Sequence, residues 1–150
     1  IMKGYWNRKE ETEKALKGGW MHTGDAGRID EEGFVYIQDR IKDMIVSGGE
    51  NIYSTEVEAA LFAHPDVIDA AVIGIPNEKY GEVVKACIVK KEGSDLSEED
   101  VINFCKDRIA SYKKPQSIDF IDEVPRNASG KVLKKVLREP YWKDQDRQVS

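Results

Sequence analysis

The spacing of apolar residues changes period several times along this chain, and each change marks an element. Glu11 to Leu16 reads as a short helix that Gly18-Gly19 stops. Gly27-Arg28-Ile29 and Phe34-Val35-Tyr36-Ile37 flank Asp30-Glu31-Glu32-Gly33, and two short strands around a turn ending in glycine predict a hairpin. Asp39 to Asp43 is charged, with Ile41 its single apolar residue, and leads into Met44-Ile45-Val46, a short strand that Ser47-Gly48-Gly49 breaks. This charged stretch is the expected domain boundary, with residues 1–41 before it and a compact α/β domain, 42–150, after it.

Within that second part, Thr55 and Glu58 fit a capping box, and Val57, Ala60 and Leu61 share one helical face. His64-Pro65 should end that helix. Ile68 to Ile75 and Val83 to Val89 are β-rich runs separated by Pro76 to Gly81. Ser97, with Asp100 three residues on, predicts a second capped helix whose buried stripe is Val101, Ile102, Cys105 and Ile109. Ile118, Phe120 and Ile121 predict another strand, and residues 132–137 a last short helix.

Composition narrows the class. A chain of 150 residues with 40% apolar and 34% charged residues has the balance of a globular domain with a real core. No apolar run approaches the roughly 20 residues of a membrane helix, so no transmembrane segment is expected. Ile1 to Lys17 mixes polar and aromatic residues without an apolar block, unlike a secretory signal. The opening Ile1-Met2 predicts a protein that begins upstream, with part of the packing of Trp6 and Trp20 outside this chain. The two cysteines, Cys87 and Cys105, fall on apolar positions and read as buried thiols, which predicts a reduced, cytoplasmic setting. His22 and His64 stand alone and offer no metal spacing. The net charge of −5 is uneven: residues 111–138 hold seven Lys or Arg against three Asp or Glu. A local excess of +4 in an acidic chain suits a small polyanion and disfavours nucleic acid as a partner.

Three segments carry candidate chemistry: His22-Thr23-Gly24-Asp25; Asp39-Arg40-Ile41-Lys42-Asp43 running into Ser47-Gly48-Gly49-Glu50-Asn51-Ile52-Tyr53; and Pro125-Arg126-Asn127-Ala128-Ser129-Gly130-Lys131. Singly, each has an ordinary explanation as a turn or a solvated lysine. In this order and separation they closely resemble the C-terminal motifs of the adenylate-forming superfamily, which contains acyl-CoA synthetases, luciferases and peptide-synthetase adenylation domains. The resemblance runs over essentially the whole chain, and Arg40 to Glu56 is most like fatty acyl and aryl CoA ligases.

The resemblance implies an α/β (α+β) fold: a small C-terminal domain with a short, mostly antiparallel sheet flanked by helices, preceded by a hairpin tail of a large N-terminal domain. It implies an enzyme that activates a carboxylic acid, in this subgroup a fatty acid, with ATP as acyl-AMP and then passes the acyl group to CoA. The phosphate loop and acid pocket of such enzymes lie in the large N-terminal domain, the expected partner of this chain. Magnesium is expected in the whole enzyme, with no ligand here.

By position, Asp25 is expected to accept hydrogen bonds from both ribose hydroxyls, and Arg40 to sit near ribose and phosphates with its cationic fork. Lys42 occupies the hinge position. Lys131 matches the lysine that bridges the substrate carboxylate and the α-phosphate, where one cation lowers the repulsion of two anions. Gly48 and Gly49 match the loop lining the pantetheine tunnel, Tyr80 an aromatic beside that arm, and Tyr112 and Lys114 positions that meet the CoA nucleotide. Within the superfamily, the rivals are an adenylation module that loads a carrier protein and a luciferase-like oxygenase. A non-catalytic α/β binding module is the rival from another class.

Overall fold

The computed structural model describes residues 2–143. Its backbone contacts divide the chain into two compact units, Ile1–Ile41 and Lys42–Ser150.

The first unit holds one helix and one hairpin. Helix α1, Lys9–Ala15, starts beside an Arg8–Glu11 ion pair and ends in a turn through Gly18 and Gly19. Strands β1, Asp25–Ile29, and β2, Val35–Arg40, pair antiparallel. Asp30 closes their turn, its Oδ1 accepting from the Glu32 and Phe34 amides at 3.0 and 2.9 Å. A register shift between Ala26 and Gly27 puts a bulge in β1. A two-stranded ribbon has no second layer to bury a face against, and Ile29, Phe34, Val35 and Ile37 are all exposed within this unit, as are Trp6 and Trp20.

The second unit is built on a five-stranded sheet. Strands β3, Ile45–Ser47, and β4, Glu50–Ile52, form a tight hairpin. The long strands β5, Val67–Asn77, and β6, Gly81–Lys90, pair antiparallel along their length. The order is β4-β3-β6-β5, and β7, Ser117–Phe120, lies parallel to β6. That parallel pair requires a crossover, supplied by helix α3, Glu98–Lys106. Helix α2, Ser54–Phe62, packs on β5 and meets α3. The short helix α4, Lys134–Arg138, follows the last motif and also lies on β5.

The expected helical faces are the ones buried. Val57, Ala60 and Leu61 of α2 and Val101 and Cys105 of α3 close over Ile45, Val72, Val84, Ala86, Ile88 and Ile118 of the sheet, with Ile102 and Ile109 at the margin. Each buried Val, Leu or Ile contributes about 1.5–3 kcal/mol. Both thiols are free and buried. Ser97 and Asp100 make the reciprocal capping box of α3.

The strand breaks at Gly48-Gly49 as expected, and the break is a hairpin turn from which Glu50–Ile52 returns as β4, a strand the sequence pattern did not reveal. One expectation fails. Glu58 is not a capping residue: α2 starts at Ser54 after Tyr53, without a side-chain cap. The Glu58 Oε1 instead accepts from the Val72 amide at 2.9 Å and pairs with Lys134 at 2.7 Å. It thereby satisfies the outer edge of β5, a backbone row that would otherwise invite another strand. The Trp142 indole N–H does the same for the Gly74 carbonyl at 3.0 Å.

Candidate functional site

The nucleotide-side candidates lie in the first unit. Asp25 opens β1 and Arg40 closes β2, so the hairpin register sets them directly opposite each other. Arg40 Nε stands 2.9 Å from Asp25 Oδ1, but the N–H is misaligned and Nε has no hydrogen-bond partner. The contact is an ion pair without a directed bond. The Asp25 carboxylate therefore keeps acceptor capacity, and both side chains remain partly open. The Asp25 amide donates to Thr23 Oγ1 at 3.2 Å, and the Gly24 carbonyl accepts from the Ile41 amide at 2.8 Å, which ties the two motif segments at their base.

The remaining candidates lie in the second unit. Gly48 and Gly49 form a two-residue turn between Ser47 and Glu50, with φ of +59° and +88°. Two positive φ values in such a loop belong to a type I′ turn, whose twist matches that of the strands. Tyr80 packs against this turn: a Cβ on Gly48 would lie 3.2 Å from its ring, and the Gly48 amide donates to the Tyr80 carbonyl at 2.8 Å. The structure therefore brings Gly48 and Tyr80 together, although 32 positions separate them in the chain. Asn77 holds the Tyr80 turn by accepting from the Lys79 and Tyr80 amides, each at 3.0 Å.

Tyr112 and Lys114 stand on another turn, before the buried Pro115. Tyr112 is exposed, and Lys113 between them is committed to Glu56 at 2.7 Å. Hydrogen bonding to Glu56 raises the Lys113 pKa above the usual lysine value.

Lys42 is exposed in a short 3₁₀ turn, Ile41–Asp43. Its neighbour Asp43 pairs with Arg138 of α4 at 3.0 Å, and the Lys42 carbonyl accepts from the same guanidinium at 3.5 Å. Lys131 is exposed on a loop whose ends join through a bridge between Arg126 and Val132. Gly130 precedes it at φ +81°, a conformation costly for any residue with a Cβ.

Sequence reasoning named Arg126, Asn127 and Ser129 within the third segment but gave them no role in building this loop. The Asn127 Oδ1 accepts from the Ser129 amide, the Ser129 hydroxyl and the Lys131 amide at 3.0, 2.8 and 2.9 Å. An Asn followed two positions on by Ser in a glycine turn is a local signal that could have revealed it. No sequence signal points to Asp69, which binds Arg126 through both carboxylate oxygens from 57 positions away. Among the described residues, no group of His, Cys, Asp and Glu could hold a metal ion. No helix among them is long and apolar enough to cross a membrane.

Comparison with known proteins places the chain in a family. Residues 56–131 match the model of the AMP-binding enzyme C-terminal domain. The long-chain-fatty-acid–CoA ligase FadD13 of Mycobacterium tuberculosis is 48% identical over 141 residues, 94% of this chain and 28% of that protein. The fatty acid–[acyl-carrier-protein] ligase ScoC of Streptomyces coeruleorubidus is 47% identical over 146 residues, 97% of this chain and 28% of its own length. The structure of o-succinylbenzoate CoA synthetase (MenE) from Bacillus subtilis with its acyl-adenylate OSB-AMP superposes with a TM-score of 0.86 at 42% identity, covering 98% of this chain and 29% of that one. The chain thus spans between a quarter and a third of the length of these relatives. By its matched model, its fold and its identity to these ligases, the chain belongs to the AMP-binding enzyme C-terminal domain family of adenylate-forming enzymes.

Proposed function

We propose that this chain is the C-terminal part of an ATP-dependent ligase that activates a carboxylic acid as acyl-AMP and transfers the acyl group to CoA. The carrying observation is Lys131: an exposed cation on a loop with a built backbone, inside the segment that matches the family model. A fatty acid is the acid class proposed, after FadD13; the o-succinylbenzoate class of MenE is the rival that the acid panel below separates from it. A cytoplasmic setting fits the two buried, unoxidised thiols.

In the first half-reaction a carboxylate oxygen attacks the α-phosphorus of ATP and the bond to pyrophosphate breaks. The Lys131 ammonium lies between the two anions and stabilises the charge that builds on the phosphorus oxygens. Asp25 accepts from the ribose hydroxyls, and Arg40 steadies both the carboxylate and the nucleotide. In the second half-reaction the CoA thiol attacks the acyl carbon and AMP leaves. The chain turns about Lys42 to present Gly48, Gly49 and Tyr80 to the pantetheine arm, while Tyr112 and Lys114 meet the CoA nucleotide. Magnesium belongs to the whole enzyme and is assigned no ligand on this chain. Residues 1–41 act as the tail of the large domain, and 42–150 as the rotating domain.

Full-length protein given ATP, CoA and a panel of fatty, aryl and dicarboxylic acids should release pyrophosphate and yield acyl-CoA, fastest with a fatty acid. Residues 1–150 alone should release none above background. Absence of acid-dependent pyrophosphate from the full-length protein, or turnover by the isolated chain, overturns the reading. The identity to ScoC favours one alternative, a carrier-protein thiol as acceptor, which the same assay detects as acyl-AMP formation with no CoA product.

A further inference from the structure

A lysine that must meet two anions needs an accurate position, yet its four-carbon side chain is flexible. Lys131 makes no side-chain hydrogen bond or ion pair among the described residues, so accuracy must come from its backbone. Asn127 supplies that from both sides. Its Oδ1 accepts from the Lys131 amide at 2.9 Å, and its own amide donates to the Lys131 carbonyl at 2.9 Å. The Asn127 carbonyl also accepts from the Gly130 amide at 2.9 Å, and Oδ1 gathers both donors of Ser129. One residue thus holds every turn of the loop.

The loop is in turn fixed to the sheet. Arg126 Nη1 donates to the Gly130 carbonyl at 3.0 Å, while Nη2 reaches Asp69 of β5 at 3.0 and 2.8 Å. The Leu133 amide closes the base on the Pro125 carbonyl at 2.8 Å. The charges matter as well as the geometry. Asp69 neutralises Arg126, the loop's other cation, and among the described residues no carboxylate pairs with the Lys131 head group.

We infer that Asn127, braced by the Arg126–Asp69 pair, is the positioning residue of the adenylation step: it orients the Lys131 backbone so that an otherwise unpaired ammonium reaches the reacting anions. This rests on the proposed role of Lys131, and the test separates the two.

In full-length enzyme, Asn127→Ala should slow single-turnover acyl-AMP formation about tenfold, by loss of the loop's main acceptor. Transfer from supplied acyl-AMP to CoA should stay within about twofold. Asn127→Asp, which keeps an acceptor oxygen, should restore most of the rate. Arg126→Ala and Asp69→Ala should each cost about threefold, and the double variant no more than either, because they act as one unit. On a Lys131→Ala background, Asn127→Ala should add nothing, since it acts through that lysine. Hydrogen exchange of the peptide containing Lys131 should accelerate in Asn127→Ala. Unchanged adenylation in Asn127→Ala beside a collapse in Lys131→Ala overturns the inference and spares the role of Lys131. Equal loss in both half-reactions, or an undiminished further loss on the Lys131→Ala background, also overturns it. If Lys131→Ala itself adenylates normally, the reading of Lys131 fails and the inference with it.

Discussion

The Gly48-Gly49 turn and the Asn127–Lys131 loop hang from the same sheet and are built by opposite means. The first is made of backbone alone: two residues at φ +59° and +88°, one hydrogen bond to Tyr80, and no side chain in the turn. The second is made by side chains: Asn127 folds it and Arg126 braces it across 57 positions to Asp69. The difference matches what each is proposed to do. A surface that a thin arm must pass closely gains from having nothing on it. A surface that must place one charge gains from a scaffold that fixes its carrier and neutralises the neighbouring cation.

The largest test of this contrast is removal of the charge itself. Lys131→Ala in the full-length enzyme should slow acyl-AMP formation by roughly 100-fold or more, about 2.7 kcal/mol of barrier. Reaction of supplied acyl-AMP with CoA should suffer far less. Comparable loss in both steps, measured by single-turnover quench, would make the two loops one functional surface.

Next is the proposed hinge. Lys42→Pro fixes φ near −65° and restricts Ile41, so it should freeze one orientation. The thioester step should fall by about thirtyfold, with adenylation retained to within a few-fold. Both rates at wild-type level would place the pivot away from Lys42.

The contrast presumes a rigid core beneath both loops, and pH examines that core. Burial pushes the Cys87 thiol up to about 11 from its ordinary value, with the Asp119 carboxylate adding to the rise. A folded-state pKa above the unfolded one favours the folded state below the unfolded value, and the benefit is lost as pH climbs through the folded one. Stability should therefore decline between about pH 9 and 11, by on the order of 2 kcal/mol from this thiol. Urea titrations across that range check it, and Cys87→Ala should flatten the slope. A slope unchanged by that substitution would remove Cys87 as its source.

The smallest effect belongs to the glycine turn. A Cβ on Gly49 meets no atom within 4 Å but demands a left-handed backbone at φ +88°. Gly49→Ala should cost about 1 kcal/mol of stability and slow thioester formation more than adenylation. Gly48→Ala should do more harm, since its Cβ also presses on Tyr80 at 3.2 Å. If the two substitutions are equal by thermal melting and in the thioester rate, the closeness of Tyr80 is irrelevant.

Local chemistry was legible where the residues that act are neighbours in the chain. The 3.6-residue spacing of Val101 and Cys105, the capping pair Ser97 and Asp100, and the β-rich runs that became β5 and β6 all depend on contacts within a few positions. The order of the three motif segments likewise carried the family resemblance before any fold was known. Glu58 was misread for the complementary reason: three residues from Thr55 it satisfies a capping pattern, yet the Val72 amide of β5 and Lys134 of α4 claim its carboxylate from far along the chain.

The amino-acid sequence by itself determined where the strands and helices run, which faces are apolar, and which Asp, Arg, Gly and Lys residues carry the candidate chemistry. The elements and their faces follow from side-chain periodicity and local backbone preference, and the candidate residues from the family resemblance of the three motif segments. Tertiary structure alone decided that β7 lies parallel to β6, that Tyr80 closes over Gly48, that Arg138 grips Asp43, and that Asp69 neutralises Arg126. Those pairings join residues 32 to 95 positions apart. No local preference encodes them, because each forms only once burial of the shared core has already brought the strands and loops together.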